Sequence, residues 1–262
     1  MRRVGIDDSR LFQLAGQPYA LFAGVAPVGQ ESPCQHRQYL CPLQLPDEEG
    51  PPQDGGSVVM TKDYADQLSQ RMMAQDRLGS VHQKNWMPFV ANDELYLIFT
   101  IEPLRVIRVD VNSGLCSEVS LVRTPALRAL HPNPDEFRGH GGPALVQLPK
   151  HMGGELLGMA RVQSGNLLYS HFFFTLQVEY PSMPVLTKVR SARWRSEGWP
   201  FGRPGMCEVI QFVGGLHLQQ DQLVISYGVN DCEAWSVAAK ATGGAPGRAS
   251  FARGTRMALI CF

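Results

Sequence analysis

Apolar residues recur along this chain in short alternating runs, and polar or glycine-containing turns separate one run from the next. The first pair of runs covers residues 11–14 and 19–23, with turn residues at 15–18 between them. Apolar and polar positions that alternate with a period of two, on both sides of a turn, indicate an antiparallel hairpin. The first part of the chain is therefore predicted to be β-structure.

The same pattern returns three more times, each time as a group of short runs joined by turns. The second group has runs at 86–90, 95–101 and 106–109, with turns at 91–93 and 110–114. The third has runs at 144–146, 156–162 and 168–178, with a turn at 150–154. The fourth has runs at 209–213, 216–218, 223–227 and 234–238, with a turn at 219–221. Each group predicts a β-meander.

Four meanders that begin near residues 10, 86, 143 and 208 form a loose repeat. Because the sheet of one blade cannot bury both faces alone, repeated meanders favour an all-β fold of stacked blades, a β-propeller. A sandwich and an irregular barrel are the alternatives. One short helix is predicted over residues 61–73, where Thr and Asp precede Ala, Leu and Met.

Composition agrees with a turn-rich globular chain and sets the predicted domain limits. The 262 residues include 26 glycines and 19 prolines, and 44% of all residues are hydrophobic. We predict one propeller domain over residues 1–239, with an exposed loop at 46–57 that has almost no apolar content. Residues 240–262 are predicted to be a linker-like tail.

Charge and cysteine content exclude several classes of partner and site. The 24 basic and 24 acidic residues balance, so the chain lacks the positive footprint of nucleic-acid binding. No apolar run approaches the length of a membrane span, and no secretory signal is visible, so a cytoplasmic protein is the default expectation. The six cysteines form no C-x-x-C pair, which favours free thiols and predicts neither a metal site nor a cofactor.

Two polar clusters near the starts of predicted strands are candidates for chemistry. Asp7, Asp8 and Arg10 stand at the entry to the first strand, where strict alternation would send the two carboxylates to opposite faces and only one towards a central funnel. Ordinary turn chemistry is the alternative for the acidic pair. Trp86 and Phe89 could form a sugar platform beside the polar side chains of Lys84 and Asn85, although aromatic residues there also fit the core.

Two further clusters combine aromatic and polar residues in the second half of the chain. His140 lies in a glycine-rich segment that could approach a ligand closely or could simply form a tight turn. His171 lies among aromatic residues, where a core or rim histidine is the alternative to a residue of the site. Tyr227, Asn230 and Asp231 follow an apolar strand, and their hydroxyl, amide and carboxylate suit a polyol. The chain has no G-x-S-x-G elbow, Walker loop or dinucleotide fingerprint, which disfavours those enzyme classes.

The motif at residues 5–10 resembles the Gly-x-Glu-Asp-Pro-Arg motif of the five-bladed propeller enzymes around glycoside hydrolase family 130, the mannoside phosphorylases and their hydrolytic relatives. The segments 84–89, 141–144 and 225–231 resemble later motifs of these enzymes in the same order. The resemblance implies that Asp8 is the general acid of an inverting mechanism, with Arg10 beside it.

The chain departs from this pattern at three positions and shows one meander fewer than a five-bladed propeller needs. Asp7 replaces the glutamate of the motif and Ser9 its proline, while Glu102 stands where phosphorylases tend to carry a phosphate-binding arginine. An acid at this point would repel phosphate, which favours hydrolysis or glycosyl transfer over phosphorolysis. Part of one blade is expected to be missing, or the propeller to be closed by residues 30–45, and unpaired edges would favour an oligomer.

These observations together predict a carbohydrate-active enzyme that breaks or forms a glycosidic bond of a glycan at the centre of a propeller. The alternatives are a non-catalytic glycan-binding propeller and a unit associated with a glycosyltransferase. The predicted catalytic residues are Asp8, Asp231 and Glu102. The predicted substrate-binding residues are Arg10, Lys84, Asn85, Trp86, His140, His171, Tyr227 and Asn230.

Overall fold

The structure is a computed structural model, and the residues it describes are almost all in strands and tight turns. They are residues 6–26, 35–43, 59–60, 85–128, 139–163, 169–178, 184–192, 211–220, 222–229, 233–240 and 256–257. The prediction of an all-β chain is confirmed, because these residues form four antiparallel sheets in which strands follow one another in chain order with few exceptions.

The first sheet begins with the hairpin that alternation predicted. Its strands are β1 (Ile6–Leu14), β2 (Gln17–Ala26), β3 (Gln35–Pro42) and the short β4 (Val59–Met60). Ala15 and Gly16, with φ of 48° and 82°, form the two-residue turn between β1 and β2. Two central residues with positive φ give a turn whose twist matches that of the flanking strands.

The second sheet has one strand more than the sequence predicted. It contains β5 (Met87–Ala91), β6 (Glu94–Ile101), β7 (Leu104–Val109) and β8 (Cys116–Val122), followed by a one-turn helix α1 (Pro125–Arg128). Within β8 only Ser120 is buried, and Leu121 and Val122 are exposed. Because β8 is the last strand of its sheet, it lacks the alternation by which the first three strands were found.

The third sheet has a divided first strand. Its strands are β9 (Gly139–His140), β10 (Val146–Gln147), β11 (Leu156–Gln163), β12 (Tyr169–Gln177) and β13 (Val185–Ala192). Both β9 and β10 pair with β11, so residues 141–145 interrupt one strand position. A 3₁₀ turn, Lys150–Met152, lies where the turn at 150–154 was predicted.

The fourth sheet consists of β14 (Gln211–Gln219), β15 (Gln222–Val229), β16 (Glu233–Lys240) and β17 (Arg256–Met257). The sequence predicted a break at the two glycines inside β14. The structure instead has one continuous strand, in which Gly214 is the extra residue of a β-bulge between Val213 and Gly215. A bulge keeps the strand paired while it accommodates the extra residue.

The chain divides into two compact units, each with its own apolar core. Unit 1 comprises Met1–Phe99 and Val106–Val119, and unit 2 comprises Thr100–Arg105 and Ser120–Phe262. The core of unit 1 joins the first and second sheets through Leu14, Leu21, Leu40, Trp86, Leu95, Leu97, Ile107 and Val109. The core of unit 2 joins the third and fourth sheets through Met159, Val213, Leu216, Leu223, Ile225, Tyr227 and Val237.

Several expectations fall on residues outside the described ranges. The helix at 61–73, the exposed loop at 46–57 and most of the tail at 240–262 lie there, and the predicted domain limits stay predictions. Cys41 and Cys116 are free, half-buried thiols, as predicted, whereas the other four cysteines are not described. In the described ranges no helix is long and apolar enough to cross a membrane.

Candidate functional site

Asp8 lies in a β-bulge at the start of β1. Asp7 pairs with Ala23 and Arg10 with Leu21, so that the two residues between them, Asp8 and Ser9, stand opposite Phe22 alone. The strict alternation that the sequence analysis assumed does not hold between Asp7 and Arg10, because the bulge interrupts it. Bulges redirect side chains and are over-represented beside active sites.

Arg10 follows this bulge and points into the core of unit 1. Its side chain is 1% exposed, and its Nη1 donates a hydrogen bond of 3.1 Å to the carbonyl oxygen of Ser9. Its cross-strand partner on β2 is Leu21, whose partner on β3 is Leu40, and both leucines are buried. The guanidinium therefore lies in the interior beside the backbone of the bulge.

Asn85 and Trp86 stand immediately before β5 and are both buried. Asn85 has a φ of 66°, a left-handed conformation that asparagine tolerates better than most residues. The Trp86 ring is 2% exposed and lies 4.9 Å from the ring of Phe99. Trp86 thus packs in the core of unit 1, and its role in binding sugar stays a prediction, while Lys84 lies outside the described residues.

Glu102 occupies the turn between β6 and β7, and its carboxylate has a structural contact. Its Oε2 accepts hydrogen bonds from the backbone N–H of Thr124, at 2.7 Å, and from the hydroxyl of the same residue. The Thr124 hydroxyl also contacts the carbonyl oxygen of Ile101 at 3.0 Å. Glu102 therefore anchors the chain just before helix α1, whatever further role it has.

His140, Arg161 and His171 occupy one row across three neighbouring strands of the third sheet. Arg161 on β11 pairs with His140 on β9 and with His171 on β12. Arg161 and His171 are 7% and 4% exposed, and the guanidinium carbon of Arg161 lies 4.1 Å from the centre of the Phe212 ring. The structure thus brings two predicted site residues to either side of an arginine.

Arg161 was not predicted, although the sequence contains a signal for it. Residues 156–162 were predicted to be a strand, and Arg161 is the only charged residue in that run. A charged side chain within a buried strand has a high desolvation cost and therefore usually has a specific function. The row formed with His140 and His171 depends on strand register, however, and no spacing along the chain predicts it.

Gly142, two residues after His140, serves internal packing. A Cβ atom on Gly142 would lie 2.0 Å from the backbone carbonyl oxygen of Met159 on β11. Only glycine therefore permits this approach between residues 141–145 and the neighbouring strand. This segment was predicted either to approach a ligand closely or to form a tight turn. In the structure, Gly142 closely approaches the protein's own backbone at Met159.

Tyr227 lies near the end of β15, with its ring in the core of unit 2. It is 6% exposed and shares this core with Met159 and Val213. Asn230 and Asp231 follow β15 directly but lie outside the described residues. The prediction that Tyr227, Asn230 and Asp231 form one polar cluster stays a prediction.

Within each sheet, all the predicted site residues lie near one of the two ends of the strands. In an antiparallel meander, the start of the first strand, the end of the second and the start of the third lie together. Asp8 starts β1, Asn85 precedes β5 and Tyr227 lies near the end of β15, while the row through Arg161 joins the start of β9, the end of β11 and the start of β12. Every sheet therefore presents its candidate residues at the corresponding end.

The candidates divide between the two units, and the described part of the chain contains no cluster of metal ligands. Asp8, Arg10, Asn85 and Trp86 belong to unit 1, whereas Glu102, His140, His171 and Tyr227 belong to unit 2. No group of three or more His, Cys, Asp or Glu residues that could hold a metal ion occurs in the described ranges.

Comparison by sequence finds no matching family model and no matching curated protein. By structure, the chain is similar to a bifunctional GH43-CE protein of Bacteroides eggerthii, with a TM-score of 0.53 and 13% identity over 98% of this chain. This chain spans only 27% of the length of that protein. The catalytic domain of the GH62 alpha-L-arabinofuranosidase of Coprinopsis cinerea has a TM-score of 0.46 and 11% identity, over 95% of this chain and 68% of that chain.

The similarity to the GH43-CE protein shows the fold of this chain. The GH43-CE protein is a carbohydrate-active enzyme with a five-bladed β-propeller fold. The predicted fold class, an all-β chain of the five-bladed propeller type, is therefore confirmed, and the described residues form four sheets of this fold. The blades were recognisable in the sequence because each is a local meander.

Proposed function

We propose that this chain is a carbohydrate-active enzyme of the glycoside hydrolase type, with Asp8 as its general acid. One observation carries the proposal. Asp8 lies in a bulge at the start of the first strand of a sheet, in a chain whose fold is similar to that of a GH43-CE protein. Bulges are over-represented beside active sites, which supports a place for Asp8 in the site.

The proposed reaction is hydrolysis with inversion at the anomeric carbon. In such a reaction one carboxylic acid protonates the leaving oxygen, while a second carboxylate activates a water molecule on the opposite face of the sugar. Asp8 takes the first role. For the second we propose Asp231 before Glu102, because Thr124 engages the Glu102 carboxylate through two hydrogen bonds.

We also propose that the chain is related to glycoside hydrolase family 130. The support is the order of four motifs, of which residues 6–10 lie at the start of β1 and residues 141–144 lie between β9 and β10, the two parts of the divided first strand of the third sheet. Glu102 in place of a phosphate-binding arginine favours water over phosphate as the attacking group. The substrate is a glycan. No comparison supports a glycosyltransferase, so that alternative is kept only as an outcome of the test.

The test is a glycan-panel assay on purified protein, with and without inorganic phosphate and with sugar-nucleotide donors. The wild type is compared with Asp8→Asn, and Asp93→Asn serves as the matched control. Asp93 carries the same carboxylate in the exposed β5–β6 turn, where its φ of 58° suits asparagine equally well. Loss of a general acid is expected to lower the rate about 100- to 10,000-fold, whereas the control keeps wild-type turnover.

Each result assigns the chain to one class. Release of free sugar without phosphate, lost in Asp8→Asn alone, supports the proposal. Phosphate-dependent release of a sugar phosphate makes the chain a phosphorylase despite Glu102, and donor-dependent product makes it a transferase. Turnover that Asp8→Asn leaves unchanged refutes the role of Asp8. Saturable glycan binding without turnover in any format establishes the non-catalytic binding protein instead.

A further inference from the structure

We propose that Arg10 is a positioning residue, which holds the bulge that carries Asp8 and makes no contact with the substrate. The catalytic consequence rests on the function proposed above, whereas the structural part stands without it. Arg10 is among the predicted substrate-binding residues, and the resemblance to the propeller enzymes places it beside Asp8. Three features of the structure indicate instead that Arg10 holds the bulge.

The first observation is the hydrogen bond that Arg10 makes. Its Nη1 donates to the carbonyl oxygen of Ser9 at 3.1 Å, and Ser9 is one of the two bulge residues. A bulge leaves its extra residue out of the regular ladder, so the backbone there needs another constraint. A donor on a planar, charged guanidinium is stronger and better oriented than a neutral donor.

The second observation is burial. Arg10 is 1% exposed, and among the described residues only buried side chains flank it across the sheet, namely Leu21 and Leu40 at 1% and 2%. Interiors are packed without voids of the size of a sugar hydroxymethyl group. A side chain enclosed in this way affects a bound ligand only indirectly, through the position of the backbone that it supports.

The third observation concerns the face of the first sheet on which Arg10 lies. This face is polar near the bulge and apolar at the opposite end of the sheet. Gln38, 2% exposed, pairs with Ala23, which shares its face of β2 with Leu21. Further along β1 the same face continues with Leu14, which belongs to the core of unit 1. The buried polar residues of this face therefore concentrate beneath the bulge, where the position of the backbone sets the position of Asp8.

Three hypotheses for Arg10 make different kinetic predictions. If Arg10 binds substrate, its loss weakens binding and raises KM. If it only stabilises the fold, the folded fraction keeps wild-type kcat and KM. If it positions Asp8, its loss lowers kcat and leaves KM within about twofold, because a general acid displaced by about 1 Å can lose about 100-fold in rate.

The experiment uses the full chain and the variants Arg10→Met and Arg10→Lys. Arg108→Met is the matched control, because Arg108 is half exposed and makes only a 3.4 Å ion pair with Glu94 among its described contacts. Arg10→Lys keeps the charge and most of the stem, which guards against a variant that fails to fold. The kinetic constants are measured on the best substrate of the glycan panel, and hydrogen exchange is followed in peptides covering β1 and β6.

The expected result for Arg10→Met is a kcat lower by about 10- to 100-fold with KM nearly unchanged, and faster exchange in the β1 peptide but not in the β6 peptide. Arg10→Lys is expected to recover part of both effects, and Arg108→Met to show neither. A rise in KM with kcat retained overturns the proposal in favour of substrate binding. Exchange in β1 as slow as in the wild type overturns it as well.

The exchange measurement separates this proposal from the function itself. If the wild type turns over no substrate in the panel, the proposed function fails, yet the exchange rates still decide whether Arg10 holds the bulge. Faster exchange confined to the β1 peptide supports the structural part without any activity. Uniformly faster exchange in both peptides shows a general stabilising role and overturns the proposal.

Discussion

Replacement of Gly142 by alanine is expected to disrupt the third sheet, although it adds only one methyl group. Gly142 is buried within residues 141–145, which separate β9 from β10, and its backbone runs against β11. The added Cβ would lie 2.0 Å from the carbonyl oxygen of Met159 and 3.1 Å from its carbonyl carbon. Both atoms belong to the backbone of a buried strand, so no side-chain rotation relieves the contact.

The size of the effect follows from these distances. A relaxed contact between carbon and oxygen needs about 3.3 Å, so the two segments must separate by about 1.3 Å. Met159 is fully buried in the core of unit 2, and the movement therefore disturbs packing as well as pairing. Overpacking of this kind costs about 1–3 kcal/mol, and a clash with immovable backbone falls at the upper end of that range.

Urea unfolding followed by far-ultraviolet circular dichroism measures the effect. With an m value of about 2–3 kcal/mol/M, a loss of about 3 kcal/mol lowers the unfolding midpoint by about 1 M or more. Gly214→Ala is the control, because nothing lies within 4 Å of a Cβ at that position. Its midpoint is expected to stay unchanged or to rise slightly, since alanine restricts the unfolded chain. Equal midpoints for the two variants would refute this account of Gly142.

Three further predictions concern the core, a thiol and a carboxylate. Leu97→Ala, at a fully buried position, is expected to cost about 2–5 kcal/mol in urea unfolding, whereas Leu115→Ala, at a position 62% exposed, is expected to cost less than about 0.5 kcal/mol. Burial raises the pKa of the Cys116 thiol to about 12. This thiol is therefore expected to resist alkylation at pH 8 in the native protein and to react after unfolding. Fast alkylation of Cys116 in the native protein would contradict this. Because this thiol stays protonated in the folded state while the unfolded thiol ionises near its ordinary pKa of 9.0, the free energy of unfolding is expected to fall between pH 9 and pH 12. Cys116→Ala is expected to remove this part of the pH dependence. Glu102→Ala is expected to lower the free energy of unfolding by about 1–3 kcal/mol, because it removes the acceptor of the Thr124 N–H. Glu102→Gln is expected to lower it less, because an amide oxygen can still accept this hydrogen bond. Identical melting of both variants and the wild type would show that the contact with Thr124 contributes nothing.

The strands that alternation predicted are those that bury one face in a core. The hairpin of β1 and β2 was found because its apolar residues alternate and its turn contains Ala15 and Gly16. The last full strands of the second and third sheets, β8 and β13, were missed. Leu121 in β8 and Val185 in β13 are exposed, so apolar side chains there do not mark a buried face. Periodicity reports burial, and the described residues of β8 and β13 have little of it. The strand β3 was also missed, although its Leu40 is buried in the core of unit 1, because its first four residues are all polar.

The sequence named the candidate residues but did not predict their surroundings. The motif at residues 5–10 identified Asp8 and Arg10, and only the structure shows that a bulge separates them from regular pairing and that Arg10 is interior. Trp86 was weighed as a sugar platform against a core residue, and its ring packs in the core of unit 1. Arg161 was missed altogether.

The sequence by itself therefore determined the fold class, the turns and the order of the candidate motifs, because alternation and turn chemistry act between neighbouring residues. Only the tertiary structure decided the row of His140, Arg161 and His171, the bulge at Asp8 and the approach of Gly142 to Met159. Each of these depends on how distant segments are aligned in a sheet. A shift of one residue in strand register moves every side chain to the opposite face, and register is set by the pairing between strands, which the alternation within a single strand does not show.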